Sequence, residues 1–208
     1  MTAEKLLESL NFAGNFTKFP KEVGAILPSS SFASLAMLQG IDWHNLKSIA
    51  EYGCGTGAFT RDIALRMHSQ TKLIGIEINK NFYQKLKNEF DVSPDFQRVN
   101  LYHDSVENIG QICEKENIRY LDCVVSGLPW TFFSKELQTN ILQKTLEVMH
   151  SESRFIAIAY LHGIITPASK HFIRLLRTYF KNVEFSKIVW RNVPPARVIT
   201  CKNPKTFN

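Results

Sequence analysis

Short apolar runs alternate along the chain with helix-length stretches whose apolar residues recur every three or four positions. The runs predict strands over Ser48 to Tyr52, Lys72 to Glu77, Val99 to His103, Leu121 to Ser126, Phe155 to Tyr160, Val183 to Trp190 and Arg197 to Cys201. Three of them read Leu73-Ile74-Gly75-Ile76, Cys123-Val124-Val125 and Ile156-Ala157-Ile158-Ala159. Runs so continuously apolar suit strands covered on both faces, as in a parallel sheet. Helices are predicted between them over Ala58 to His68, Lys80 to Phe90, Val106 to Asn117, Lys135 to His150 and Ser169 to Phe180. Strand and helix in turn describe a doubly wound α/β domain. The last two strands are separated by only about half a dozen residues around Asn192-Val193-Pro194-Pro195, too few for a parallel crossover, so that pair is expected to be antiparallel.

Ahead of the first strand, residues 1–47 carry two helical patches. Leu6, Leu7 and Leu10 share one face of the first, and the second runs from Phe32 to Leu38. Pro20, Pro28 and Ser29-Ser30-Ser31 punctuate them. This segment is too short for a domain and reads as an N-terminal helical cap on a core spanning 48–208.

Composition narrows the classes. Apolar residues make up 44% and charged residues 21%, which excludes a disordered chain, a collagen-like repeat or a disulfide scaffold. Cys54, Cys113, Cys123 and Cys201 form no Cys-x-x-Cys pair, so no metal site or redox pair is predicted and the thiols read as reduced, in a cytoplasmic protein. The N-terminus shows no secretory signal, and no run approaches the ~18 apolar residues of a membrane span. Lys and Arg outnumber Asp and Glu by 25 to 19, a net charge of +6. That favours anionic partners such as nucleic acid or an acidic lipid surface and leaves the fold undetermined.

The sharpest local signal is Glu51-Tyr52-Gly53-Cys54-Gly55-Thr56-Gly57, where the first strand enters a helix. Gly53, Gly55 and Gly57 let the backbone turn tightly and approach a ligand, in front of the unpaired N–H groups of a helix N-terminus. Glu77, about 20 residues further at the end of the second strand and followed by Ile78, is placed to accept both hydroxyl hydrogens of a ribose. Asp104, after the third strand and followed by Ser105 and Val106, is placed to accept the exocyclic amine of an adenine, or to cap the next helix. Gly53, Gly55 and Ala58 also satisfy the dinucleotide pattern G-x-G-x-x-A, so a nicotinamide cofactor is the competing reading. Glu51 two residues before the first Gly, the third Gly and the antiparallel final pair favour S-adenosylmethionine, with Glu51 reaching its methionine ammonium directly or through water. Together they describe a Rossmann-like class I methyltransferase: a seven-stranded, mostly parallel sheet with an antiparallel last strand.

The fourth strand ends Ser126-Gly127-Leu128-Pro129-Trp130. Ligands sit beyond the carboxyl ends of parallel strands, so this turn is expected to face the methyl group, its carbonyls aimed at an amine. Trp130 would then offer its face to the developing cation, the competing reading being a tight turn before a buried Trp. Ser126-Gly127-Leu128-Pro129, Val23-Gly24-Ala25-Ile26-Leu27-Pro28-Ser29-Ser30 and Asn192-Val193-Pro194-Pro195-Ala196, preceded by Trp190-Arg191, resemble motifs of the bacterial phospholipid N-methyltransferases, which methylate phosphatidylethanolamine. With the Gly loop these motifs span residues 23–196. The chain departs from that family at Trp130, where a smaller apolar residue is expected. The family is similar to the rRNA adenine dimethyltransferases, whose Asn-Leu-Pro-Tyr type of motif lacks its Asn here.

The resemblance implies a phospholipid amine as acceptor and a peripheral protein at the inner face of the membrane. Leu6, Leu7 and Leu10 with Lys5, followed by Phe16, Lys18, Phe19 and Lys21, would meet anionic lipid. The protein chiefly supplies proximity and alignment for an in-line displacement. Carbonyls of Gly127 and Leu128 would orient the nitrogen, Tyr160 with His162 behind it is the candidate base, and Arg191 or Arg197 a candidate for the phosphate. Competing readings are a methyltransferase for RNA adenine or a small amine, with the turn aromatic as a stacking platform, and a non-catalytic S-adenosylmethionine-binding module.

Overall fold

A computed structural model of the chain describes residues 31–161, 166–192 and 194–205. Helix α1 (Ser31–Leu38) precedes β1 (Ser48–Tyr52), α2 (Ala58–Arg66), β2 (Lys72–Ile76), α3 (Lys80–Phe90), β3 (Val99–Tyr102), α4 (Ile109–Lys115) and β4 (Leu121–Ser126). Then follow α5 (Lys135–Glu147), β5 (Met149–Tyr160), α6 (Pro167–Tyr179), β6 (Phe180–Phe185) and β7 (Ala196–Pro204). Helix starts are sealed by side chains that accept orphan N–H groups: Asn79 for α3, Ser134 for α5, and Thr166 ahead of Pro167 for α6.

The strands form one 7-stranded sheet in the order β3-β2-β1-β4-β5-β7-β6. β1 pairs in parallel with β2 and β4, and the parallel run extends to β3 and β5. β7 inserts between β5 and β6 and runs antiparallel to both. The expected seven-stranded Rossmann-like sheet with an antiparallel last strand is therefore the observed one. Because the order reverses between β1 and β4, a crevice opens at their carboxyl ends.

Alternation along each strand sends side chains to two apolar layers. One holds Tyr52, Val124, Trp130, Phe155, Phe172 and Leu176. The other holds Met37, Ile49, Phe59, Ile63, Leu73 and Ile156. Helix α1 joins the second layer through buried Ala33, Met37 and Leu38, so the described part of the predicted cap is packed on the sheet. The Ser34 hydroxyl donates to Asp62 of α2. The predicted helix at Leu6, Leu7 and Leu10, the lysines near it and the Val23–Ser30 motif lie outside the described residues. All four cysteines are buried and free.

Boundaries moved where polar side chains intervene. β5 begins at Met149 rather than Phe155, with a register shift opposite Leu121 and Cys123. There the Ser153 hydroxyl donates to the Leu121 carbonyl and accepts from the His150 amide, so a polar stretch is held in the sheet as a bulge. β6 covers Phe180–Phe185 rather than extending to Trp190, because the Ser186 hydroxyl accepts the Val198 N–H and ends the ladder. The predicted helix from Val106 starts as a 3-10 turn, Val106–Asn108, before α4.

Candidate active site

β1 delivers the chain into the Gly loop at the sheet's carboxyl edge, where Gly53, Gly55 and Gly57 all have positive φ. Gly57 is the most constrained. Its φ is 81°, and a Cβ there would stand 2.4 Å from Leu86 Cδ2, so any other residue combines left-handed strain with a clash. A Cβ at Gly55 would meet nothing within 4 Å, which leaves one side of the loop open to a ligand. Beside it Glu77, 7% exposed, accepts from the Gly55 N–H at 2.7 Å through Oε2 and from the Asn79 N–H at 2.7 Å through Oε1. Burial raises its pKa, and these N–H groups oppose the rise.

Glu51 is fully buried, and neither carboxyl oxygen has a hydrogen-bond partner among the described residues. The Thr60 hydroxyl and the Cys54 thiol interact with it weakly, short of hydrogen-bonding geometry. Burial, reinforced by the nearby Glu77 charge, pushes its pKa up to about 8. An orphaned buried carboxyl is costly, and here it stands at the foot of a loop open on the ligand side.

Asp104 Oδ1 accepts from the Ser105 N–H and from Asn108 Nδ2, each at 2.7 Å. The side-chain cap of the following turn is Ser105, whose hydroxyl accepts from the Glu107 N–H at 3.3 Å. Asp104 is therefore held in place without being the cap, and no hydrogen bond among the described residues engages its Oδ2. Ile78, 40% exposed, lines the rim with the stacked pair Tyr83 and His103, while Val106 is packed into the core.

The turn after β4 departs from expectation at Trp130. Its ring is 2% exposed, stacked on Phe172 with centroids 4.3 Å apart and flanked edge-on by Phe133 and Phe155. Its Nε1 donates to the Ser126 hydroxyl at 2.9 Å. The expected role of Trp130 as a face for the developing cation is thus corrected: both faces are covered, and the indole instead braces the turn. Gly127 packs on the Gly loop. Its N–H donates to the Tyr52 carbonyl at 2.9 Å, and a Cβ there would come within 3.2 Å of the Gly53 carbonyl oxygen. The Leu128 carbonyl accepts from the Trp130 N–H at 2.9 Å, whereas no hydrogen bond among the described residues uses the Gly127 carbonyl.

Sequence reasoning passed over Gln138. It is fully buried on α5, and its Nε2 donates to the carbonyls of Trp130 (2.6 Å), Phe133 (3.4 Å) and Ala168 (3.1 Å). It ties the β4 turn to the start of α6; the available signal was an amide on the apolar stripe of Ile141, Leu142 and Thr145. Tyr160 ends β5 but packs with the layer opposite Trp130. His162 lies outside the described residues. Arg197, opposite Ala159, carries a buried Nε with no partner among them, and Arg191 lies with its guanidinium 5.1 Å from the Phe32 ring centroid.

Residues 49–152 match the family model described as a methyltransferase domain. The chain is 30% identical over 194 residues to the ornithine lipid N-methyltransferase of Singulisphaera acidiphila, covering 93% of this chain and 95% of that protein. Among solved structures it is similar to an S-adenosylmethionine-dependent O-methyltransferase from Thermotoga maritima, with TM-score 0.59 and 16% identity over 86% of this chain and 66% of that one. It is also similar to fibrillarin from Aeropyrum pernix in complex with natively bound S-adenosyl-L-methionine, with TM-score 0.62 and 10% identity over 82% and 73%. An orphaned carboxyl, an open glycine turn and a buried second carboxylate suit an ammonium, a sulfonium nucleoside and a ribose. Fold, family match and near-full-length relative agree: the chain belongs to the class I S-adenosylmethionine-dependent methyltransferases.

Proposed function

We propose that this methyltransferase N-methylates an amine in the headgroup of a membrane lipid, phosphatidylethanolamine or another amine-bearing lipid such as ornithine lipid. The observation that carries this reading is the likeness to a lipid N-methyltransferase, which extends over 93% of this chain and 95% of that protein. Bound at the Gly loop, S-adenosylmethionine supplies an electrophilic methyl group. Glu51 would hold its ammonium, Gly53, Gly55 and Gly57 its backbone-facing side, Glu77 the ribose, and Ile78, Asp104, Ser105 and Val106 the adenine end.

On the acceptor side the Gly127 carbonyl is the group left to orient an amine, with Leu128 and Pro129 shaping the turn. Ser126 and Trp130 act through that turn's rigidity rather than by touching the acceptor. Tyr160 is the candidate to take the ammonium proton from the other side of the β5 end. The buried Nε of Arg197 suits an acidic group on the same headgroup. Trp130 is buried and so offers no face on which an RNA base would stack, which removes that ring from the RNA reading. No helix among the described residues is long and apolar enough to cross a membrane; the reading therefore has the enzyme meet its substrate as a peripheral protein at the inner, anionic face.

Labelled methyl transfer to vesicles tests this. Vesicles containing phosphatidylethanolamine, ornithine lipid or neither are incubated with radiolabelled S-adenosylmethionine and the lipids separated. Label in an amine-bearing lipid is expected. Intact cofactor binding with no labelled lipid, but label in RNA or a small amine, would overturn the proposal.

A further inference from the structure

We infer that the rim formed by Trp190, Arg191 and the first turns of α1 is the surface through which the molecule docks on an anionic bilayer. This rests on the lipid-substrate reading and adds which face of the protein meets the lipid.

The topology places these residues together. β5 and β6 run in the same direction, since β7 is antiparallel to both. The connection from Ser186 to Pro195 therefore crosses the carboxyl edge of the sheet, the edge that carries the Gly loop and the β4 turn. Helix α1 starts at the same edge. Its Phe32 meets Arg191, while Gly40, just past its other end, accepts from Arg154 far down β5.

The connection is well tied. Val189 bridges Ala196, the Leu161 N–H donates to the Pro195 carbonyl at 2.9 Å, and Asn192 Nδ2 donates to the Pro194 carbonyl at 2.7 Å. Trp190 is nonetheless 68% exposed. A ring held in water by a braced turn has been placed there, and large exposed apolar groups gathered together mark interaction sites. Phe32 is 41% exposed, and Leu35, one turn along on the same face of α1, is 52% exposed.

The charge pattern selects the partner. Residues 186–197 contain Lys187, Arg191 and Arg197 and no Asp or Glu, and α1 carries no charged residue. Apolar rings beside basic groups, with no acid among them, match the interface of an anionic bilayer, where Trp settles at headgroup depth and guanidinium and ammonium groups meet phosphate. A protein seated this way turns its active-site edge toward the lipid, so an amine headgroup reaches the β4 turn without its acyl chains leaving the membrane.

Trp190→Ser and Trp190→Phe in the full chain test the inference. The probes are phosphatidylglycerol vesicles carrying phosphatidylethanolamine as acceptor, with and without brominated acyl chains, and a short-chain amine lipid dispersed below its micelle concentration. Wild-type emission is expected to shift to the blue on vesicles and to be quenched by the brominated chains. Trp190→Ser should lose that response, bind vesicles about tenfold more weakly and lose a similar factor in vesicle methylation. It should keep cofactor affinity and turnover of the dispersed lipid, which also reports its folding, and Trp190→Phe should keep most vesicle binding. Vesicle binding and methylation unchanged in Trp190→Ser, or an emission response to RNA and not to vesicles, would overturn the inference. If vesicles quench Trp190 but no lipid is methylated in any form, the docking surface stands and the substrate reading falls. Methylation of vesicle lipid with Trp190 unresponsive gives the reverse.

Discussion

Replacing Glu51 by Gln keeps the shape of the side chain and removes its proton equilibrium. In the folded protein this carboxyl titrates near 8 rather than at its ordinary 4.5, chiefly because it is buried. The unfolded chain releases the proton near 4.5 and the folded protein only near 8. The stability associated with the protonated group is therefore complete below about pH 4.5, declines as pH rises and levels off above about pH 8. At pH 7 about 2.5 pH units of linkage separate the two states, which at ~1.4 kcal/mol per unit is a penalty of about 3 kcal/mol. Gln escapes it, so the cofactor-free variant should melt about 5–10 °C higher near neutral pH, less whatever its unpaired amide costs, at 2–4 °C per kcal/mol. The diagnostic feature is the pH dependence: the difference between variant and wild type should grow from pH 5 to pH 8 and then stop growing. Cofactor binding should respond in the opposite sense. An ammonium pairs with the carboxylate, so wild-type binding near pH 6.5 should release close to one proton, read by calorimetry in buffers of different ionisation enthalpy. The variant should release none and bind about tenfold or more weakly. A melting difference that is flat with pH, or wild-type binding without proton release, would refute both the orphaned-carboxyl argument and its assignment to the ammonium.

Further substitutions separate the other roles. Gly57→Ala adds a Cβ 2.4 Å from Leu86 Cδ2 at φ 81°; it should lower denaturant stability by about 1–3 kcal/mol and weaken cofactor binding, and a neutral result would contradict the loop geometry. Glu77→Ala should abolish cofactor binding by calorimetry while the circular dichroism spectrum is kept, and unchanged affinity would remove the ribose assignment. Trp130→Phe preserves the stack on Phe172 but deletes the hydrogen bond to Ser126; a loss of about 1–2 kcal/mol in denaturant stability is expected. Gln138→Leu leaves the carbonyls of Trp130 and Ala168 without this donor and should cost about 2–4 kcal/mol, with a lower kcat at unchanged cofactor affinity. An unaltered melting curve would mean the turn is braced elsewhere.

The elements around the Gly loop were legible because each is written in a short stretch of chain. The predicted spans of β1, β4 and α3 coincide with the observed ones, since buried apolar runs and an Asn cap are local signals. The antiparallel final pair followed from the length of one connection. Features set by distant residues were not legible. Phe172, which covers Trp130, lies in α6, and nothing near the β4 turn announces it. The bulge at the start of β5 depends on Ser153 reaching Leu121 across the sheet. Glu51 read as a ligand group, but its lack of a hydrogen-bond partner among the described residues is a property of the packing around it.

The position of β7 governs how the sheet can be assembled. β6 is made before β7 yet has no other sheet neighbour among the described residues, and β5 has its second edge covered by the same strand. Until residues 196–204 arrive, β5 and β6 must wait one strand-width apart with two rows of backbone groups unpaired. The half of the sheet that holds the Gly loop can pair without them. During synthesis the part of the sheet that carries the Gly loop and the β4 turn is thus free to form ahead of the β6–β7 edge, and the late-arriving strand acts as a keystone: chaperone dependence and aggregation should track its insertion rather than the glycine-rich turn.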